Sequence, residues 1–137
     1  MSEEIREGGA VAAFSLHLRG EDSGGRVSVV ESVFPSGGGP PLHVHPAHGE
    51  GFYVLEGEMR FQLRDEFLTA RAGAFIFAAP GVPHTLANFS GTDARILILC
   101  TPAGFERYFE RMNAGEGSNP PAGEAIAVGP PIHAPTA

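Results

Sequence analysis

Lysine is absent from this sequence: all nine of its basic residues are arginines. Chemistry that needs a lysine, such as a Schiff base or a Gly-Lys-Thr phosphate loop, is thereby excluded. The glycine run Gly37–Gly39 leads into a His-rich strand rather than a helix, so it is no phosphate cradle. There is no basic run to offset a formal net charge of −7, and that field repels phosphate backbones. Neither nucleic acid nor a membrane is expected as a partner. A single cysteine, Cys100, rules out an intrachain disulfide, and its place at the end of the apolar run Ile96–Leu99 predicts a buried hydrophobe rather than a nucleophile. No segment reaches transmembrane length. The acidic start MSEEIREGG lacks the apolar core of a signal peptide, which gives a cytoplasmic location as the expectation.

What the chain has in quantity is glycine and proline, 19 and 12 in 137 residues, which break a single domain into many short elements. Residues 1–9 read as a mobile polar start, 10–113 as a barrel plus helix, and 114–137 as an irregular Pro/Gly-rich tail. Strands are predicted at Ala10–Leu18, Arg26–Phe34 with Val27, Val29 and Val33 on one face, around His43–His45, and at Gly51–Leu55. The cleanest alternation runs from Glu58 to Arg64, with Met59, Phe61 and Leu63 on one side. Phe67–Ala70, a strand holding Phe75 and Phe77, His84–Phe89 and Ala94–Thr101 complete the set, the last buried on both faces.

After Thr101-Pro102 the period changes. Phe105, Tyr108, Phe109 and Met112 recur at helical spacing, Thr101 serves as a cap, and Glu106, Arg107, Glu110 and Arg111 form a solvated face. Eight or so short strands with one late helix specify an all-β barrel or sandwich. In the tail, Ile126, Val128 and Ile132 are available for docking on the barrel or on a neighbouring subunit.

The chemistry is concentrated between Gly37 and Gly57. His43 and His45, two apart on an extended strand, present their imidazoles to one face, and the turn through Pro46 and Gly49 brings Glu50 back toward them. His84, delivered to the start of a later strand by the rigid turn Pro80-Gly81-Val82-Pro83, is the natural fourth ligand. Three imidazoles and one carboxylate suit one divalent transition metal (Fe, Mn, Ni, Co, Cu or Zn) and leave up to two positions open. His48, in the intervening turn, is expected to be exposed, and His17 and His133 have no assigned partner. Phe52, Phe61, Phe75, Phe77 and Leu86 are candidates for an apolar pocket wall. Asn88 shares strand parity with His84, either to orient it or to make a backbone contact.

The spacing of Gly37, His43, His45, Glu50 and Gly57, followed by Gly73, Gly81, His84 and Asn88, resembles the two motifs of the cupin superfamily. One position departs: Ala79 stands where a proline is expected, and Pro80 follows. The ending TPAGFERYFERM is similar to small quercetin 2,3-dioxygenase-like cupins. The resemblance implies a double-stranded β-helix, or jelly-roll barrel, with one short C-terminal helix. It also implies His43, His45, Glu50 and His84 as metal ligands, a small-molecule substrate and a homodimer. The implied activity is a metal-dependent dioxygenase acting on a small enolizable or phenolic, flavonol-like compound, with Glu50 as ligand or as the base that takes the substrate's hydroxyl proton. A non-catalytic small-molecule binder is an alternative, because the fold does not fix the chemistry. A metal-dependent isomerase or lyase is another, and it would draw an acid–base group from Tyr53, Tyr108 or Glu56.

Overall fold

The computed structural model describes residues 2–7, 10–113 and 123–134. In chain order they form strands β1 (Ser2–Glu7), β2 (Ala10–Leu18), β3 (Ser28–Phe34), β4 (Pro41–Val44), β5 (Gly49–Glu56), β6 (Glu58–Leu63), β7 (Glu66–Arg71), β8 (Phe75–Ala78), β9 (His84–Ala87) and β10 (Ala94–Thr101), then helix α1 (Glu106–Asn113) and strand β11 (Ile126–Pro131). Two antiparallel sheets enclose one core, in the orders β1-β2-β3-β10-β5-β8 and β11-β4-β9-β6-β7. This is the expected all-β jelly roll with one short helix.

Alternation explains most of it. In β6, Met59 and Phe61 are buried while Arg60 and Gln62 are only half-buried. Gly57 turns the chain from β5 into β6 at a φ of 81°, where an added Cβ would meet the Asp93 carbonyl at 2.8 Å. Phe14, Phe52, Phe61, Met59 and Ile96 fill the space between the sheets. A second aromatic group, Phe105, Tyr108 and Phe109, joins the helix to this core, with the Phe14 and Phe109 rings 4.6 Å apart.

Several expectations change. Residues 2–7 are not a free start but an edge strand paired with β2 from Ser2↔Ser15 to Glu7↔Ala10. β10 is buried on one face only: Ile96, Ile98 and Cys100 point inward, while Leu97 and Leu99 are half-buried because, among the described residues, no further layer covers that face. Val29 and Val33 lie on that outer face, and β3 turns Ser28, Val30, Ser32 and Phe34 inward. Thr101 ends β10, and the helix begins at Glu106 rather than after Thr101. Glu106 is not on a solvated face; it is 2% exposed and accepts hydrogen bonds from the backbone N–H groups of Gly20 (2.9 Å) and Gly104 (2.6 Å).

The tail, expected to be irregular, carries a strand. Residues 114–122 and 135–137 lie outside the described residues, but Ile126–Pro131 is a strand on the edge of the second sheet, with a break in register between Ala127 and Pro131, and an edge position tolerates its prolines. Ile132 is buried; Ile126 and Val128 are exposed.

Candidate metal centre

Strand parity and one tight turn build the centre. β4 carries His43 at its third residue, with His45 just beyond its end; β5 turns Glu50 inward between two glycines. β9 begins at His84, which stands opposite His43 in the sheet. The Pro80–Pro83 turn is fixed by the Gly81 N–H, which donates to the His45 carbonyl at 2.9 Å, and by the Pro83 carbonyl, which accepts from the Arg64 N–H at 2.8 Å. Across the same strands, the Thr85 hydroxyl donates to the Pro40 carbonyl at 2.7 Å.

The ligand atoms of His43, His45, Glu50 and His84 all lie within 4.8 Å of one another. His45 Nε2 is 2.9 Å and His84 Nε2 3.0 Å from the same oxygen, Glu50 Oε1. His45, Glu50 and His84 are buried, and His43 is half-buried at the rim.

Each imidazole is held from behind in the same way. Nδ1 of His43 faces the Pro41 carbonyl at 2.7 Å, Nδ1 of His45 the Glu124 carbonyl at 2.8 Å, and Nδ1 of His84 the Val82 carbonyl at 2.9 Å. A carbonyl only accepts, so Nδ1 must be the donor in all three rings. In the neutral ring, Nε2 is then a lone pair, and the lone pairs of His45 and His84 point at an anionic oxygen. That arrangement calls for a cation, either a proton or a metal ion, and the donor set and backing carbonyls are what a histidine-bound metal requires. None of these carbonyls was visible as a site group in the sequence, because backbone oxygens leave no residue signature.

The electrostatics follow from burial and proximity. Burial, aided by His84, lowers His43 to about 4. For His45, burial opposes the charged form, but the bond to Glu50 and its charge prevail and the value is raised. Burial likewise opposes ionisation of Glu50, yet bonding to His45 and His84 holds its carboxyl well below the usual range. Cys100 is buried and its thiol is pushed well above its ordinary value by burial and by the charges of Glu50 and Glu106, which leaves it inert as a nucleophile.

His48 is a correction. It is 6% exposed, stacked on His45 with ring centroids 4.3 Å apart and lying 4.8 Å from Phe105. Its Nε2 is buried without a hydrogen-bond partner among the described residues, and burial, aided by His45, lowers its pKa to about 4. Phe105 also meets His45 at 4.7 Å, so one aromatic residue backs both rings.

Of the predicted wall residues, Phe52, Phe61 and Leu86 face the interior, and the Phe52 ring lies 6.0 Å from His84. Phe75 and Phe77 do not: they are 53% and 46% exposed on the outer face. There they lie over Gly51 and Gly49, where an added Cβ would meet their rings at 2.7 and 2.6 Å. Asn88 does not reach His84. Its Nδ2 donates to the carbonyls of Phe34 and Thr92, both at 2.7 Å, and its Oδ1 accepts from the Ser90 N–H and hydroxyl, so it fastens a loop. Tyr53 and Glu56 are exposed, and Tyr108 is buried with Phe105 and Phe109. His17 pairs with Glu31 on the surface at 2.8 Å.

Among the described residues, no helix is long and apolar enough to cross a membrane. Among solved structures, the chain is similar to a "predicted oxalate decarboxylase" from Thermotoga maritima, with 24% identity, a TM-score of 0.68, and 74% of this chain and 91% of that one covered. It is also similar to the polyketide cyclase RemF from Streptomyces resistomycificus, with 28% identity, a TM-score of 0.63, and 74% and 73% covered. A curated relative, an uncharacterized protein of Methanocaldococcus jannaschii, is 30% identical over 79 residues, which span 58% of this chain and 63% of that protein's length. Residues 30–100, just over half of the chain and including all four candidate ligands, match the cupin domain family, Cupin_2, so this protein belongs to the cupins.

Proposed function

We propose that this cupin holds one divalent transition metal through His43, His45, Glu50 and His84 and acts as a dioxygenase on a small enolizable or phenolic compound. The convergence of the three imidazoles on Glu50, each backed by a carbonyl, supports the metal. Such an ion supplies Lewis acidity toward an enolic oxygen and, if redox-active, reactivity toward dioxygen. Glu50, with its depressed carboxyl, is better suited to ligation than to proton abstraction. Phe52, Phe61 and Leu86 make the adjoining interior apolar, which excludes water and favours a flat, conjugated substrate.

The test is metal analysis of protein purified without a metal-affinity tag, followed by oxygen-electrode assays with a flavonol and a 1,3-diketone. Oxygen uptake abolished by chelator and by His45→Ala supports the reading; protein that cannot be loaded with any metal ends it. The likeness to RemF favours a second reading, redox-neutral chemistry on an enolizable polyketide-like compound. Substrate loss without oxygen uptake would select it.

A cytoplasmic homodimer belongs to the same proposal. Phe75 and Phe77, with Tyr53 37% exposed beside them, form an aromatic patch on the uncovered face of the first sheet, and β8 is its edge. Sedimentation should give twice the chain mass, reduced to one by Phe75→Ser with Phe77→Ser; a monomeric wild type refutes it.

A further inference from the structure

The strand that carries His43 and leads directly into His45 has a weak hold on β9. β4 is four residues long, and its ladder to β9 is a single pair, His43↔His84. Its other edge is covered by β11, which pairs Ile126 with Val44, Ala127 with His43 and Pro131 with Pro41. The same segment reaches past the end of β4, where the Glu124 carbonyl accepts the His45 Nδ1–H at 2.8 Å. At its far end Ile132 is buried, while Ile126 and Val128 between them are exposed. The segment from 124 to 132 is thus fastened at both ends, with a break in register between Ala127 and Pro131.

From this we propose that the C-terminal strand is a strap thermodynamically linked to the metal centre, with the Glu124 carbonyl as the positioning group for His45. The inference rests on the metal reading above. With the strap docked, His45 keeps its proton on Nδ1 and offers Nε2 to the site. With it undocked, Nδ1 loses its acceptor, the proton is free to shift to Nε2, and the ligating lone pair is lost. Conversely, a cation held by His43, His45, Glu50 and His84 would polarise the His45 Nδ1–H, strengthen its bond to Glu124 and stiffen the edge on which β11 lies. Each event favours the other by the same factor, as linkage requires.

Cobalt(II) is the probe, because its visible spectrum reports the ligand set. A chain ending at residue 122 should bind Co2+ about 10- to 100-fold more weakly than the full chain, the range for loss of a histidine's backing group, with an altered spectrum. A peptide covering residues 123–137, added in trans, should restore both. In the full chain, amide exchange at residues 124–132 should slow when Co2+ binds. Unchanged affinity and spectrum in a folded shortened chain, or exchange indifferent to Co2+, would overturn the strap. If the shortened chain does not fold, exchange in the full chain decides alone. A full chain that takes up no Co2+ overturns the metal reading itself; Co2+ uptake with an indifferent strap overturns only the linkage.

Discussion

His45 Nε2 lies 2.9 Å from Glu50 Oε1, with both side chains buried. Such a pair is stable when a cation is shared between its members and costly when either is left alone. Metal loading should therefore raise thermal stability strongly. At a free metal concentration a hundred times Kd the gain is about 2.7 kcal/mol, or roughly 10 °C in Tm for a chain of this size. Glu50→Gln, which keeps the shape and removes the charge, should lose most of that rise in a melting experiment with and without EDTA; an undiminished rise would remove Glu50 from the ligand set.

The metal-free protein should lose stability on mild acidification. His43 and His48 have folded values of about 4, below the ordinary 6.5, so in that window the unfolded chain binds their protons more readily. His45, raised on folding, acts in the opposite sense. Two such groups outweigh one, so stability rises with pH from about 4 to 6.5. Glu50 contributes above the usual carboxylate value, and that contribution is lost only as pH falls through its depressed folded value. Urea midpoints of EDTA-treated protein should be higher at pH 7 than at pH 5, and the reverse order would contradict this assignment.

His48→Phe should stabilise the protein. The ring stack on His45 and Phe105 can be kept, and a buried nitrogen with no partner, which costs about 1–3 kcal/mol, is removed. Metal stoichiometry should stay at one per chain. A fall in both stability and metal content would make His48 part of the centre.

Glu106→Ala should destabilise by about 3 kcal/mol, because the buried N–H of Gly20 and the half-buried N–H of Gly104 lose a charged acceptor at once. Chemical denaturation measures this directly. A change below about 0.5 kcal/mol, the usual range for a surface position, would mean that the helix start does not depend on this carboxylate.

The sequence was most informative where side-chain type and spacing carry the structure. The parity of His43 and His45, the return of Glu50 and the rigid turn before His84 together pick out the cluster that could hold a metal, and the alternation in Glu58–Arg64 places strand β6 to within a residue. It misled where the surroundings, rather than the residue, decide. Val29 and Val33 share a face as their spacing says, but that face is the outer one, and Ser28, Val30, Ser32 and Phe34 line the inner side of β3. Phe75 and Phe77 share a face, but strand periodicity does not say which face is inside. Glu106 looks like any charged helix residue until two amides from separate loops converge on it, and the carbonyls behind the three imidazoles have no signature in the sequence at all.

The glycines on either side of Glu50 give β5 an unusual mechanical character. Gly49 and Gly51 present bare backbone outward, and the rings of Phe77 and Phe75 from β8 are the padding over it. The carboxylate therefore sits one strand's thickness from the outer surface, on a backbone whose stiffness is borrowed from a neighbouring strand. Pressure on those two rings, by a second subunit or any other body, bears on the main chain that sets where the Glu50 oxygens stand.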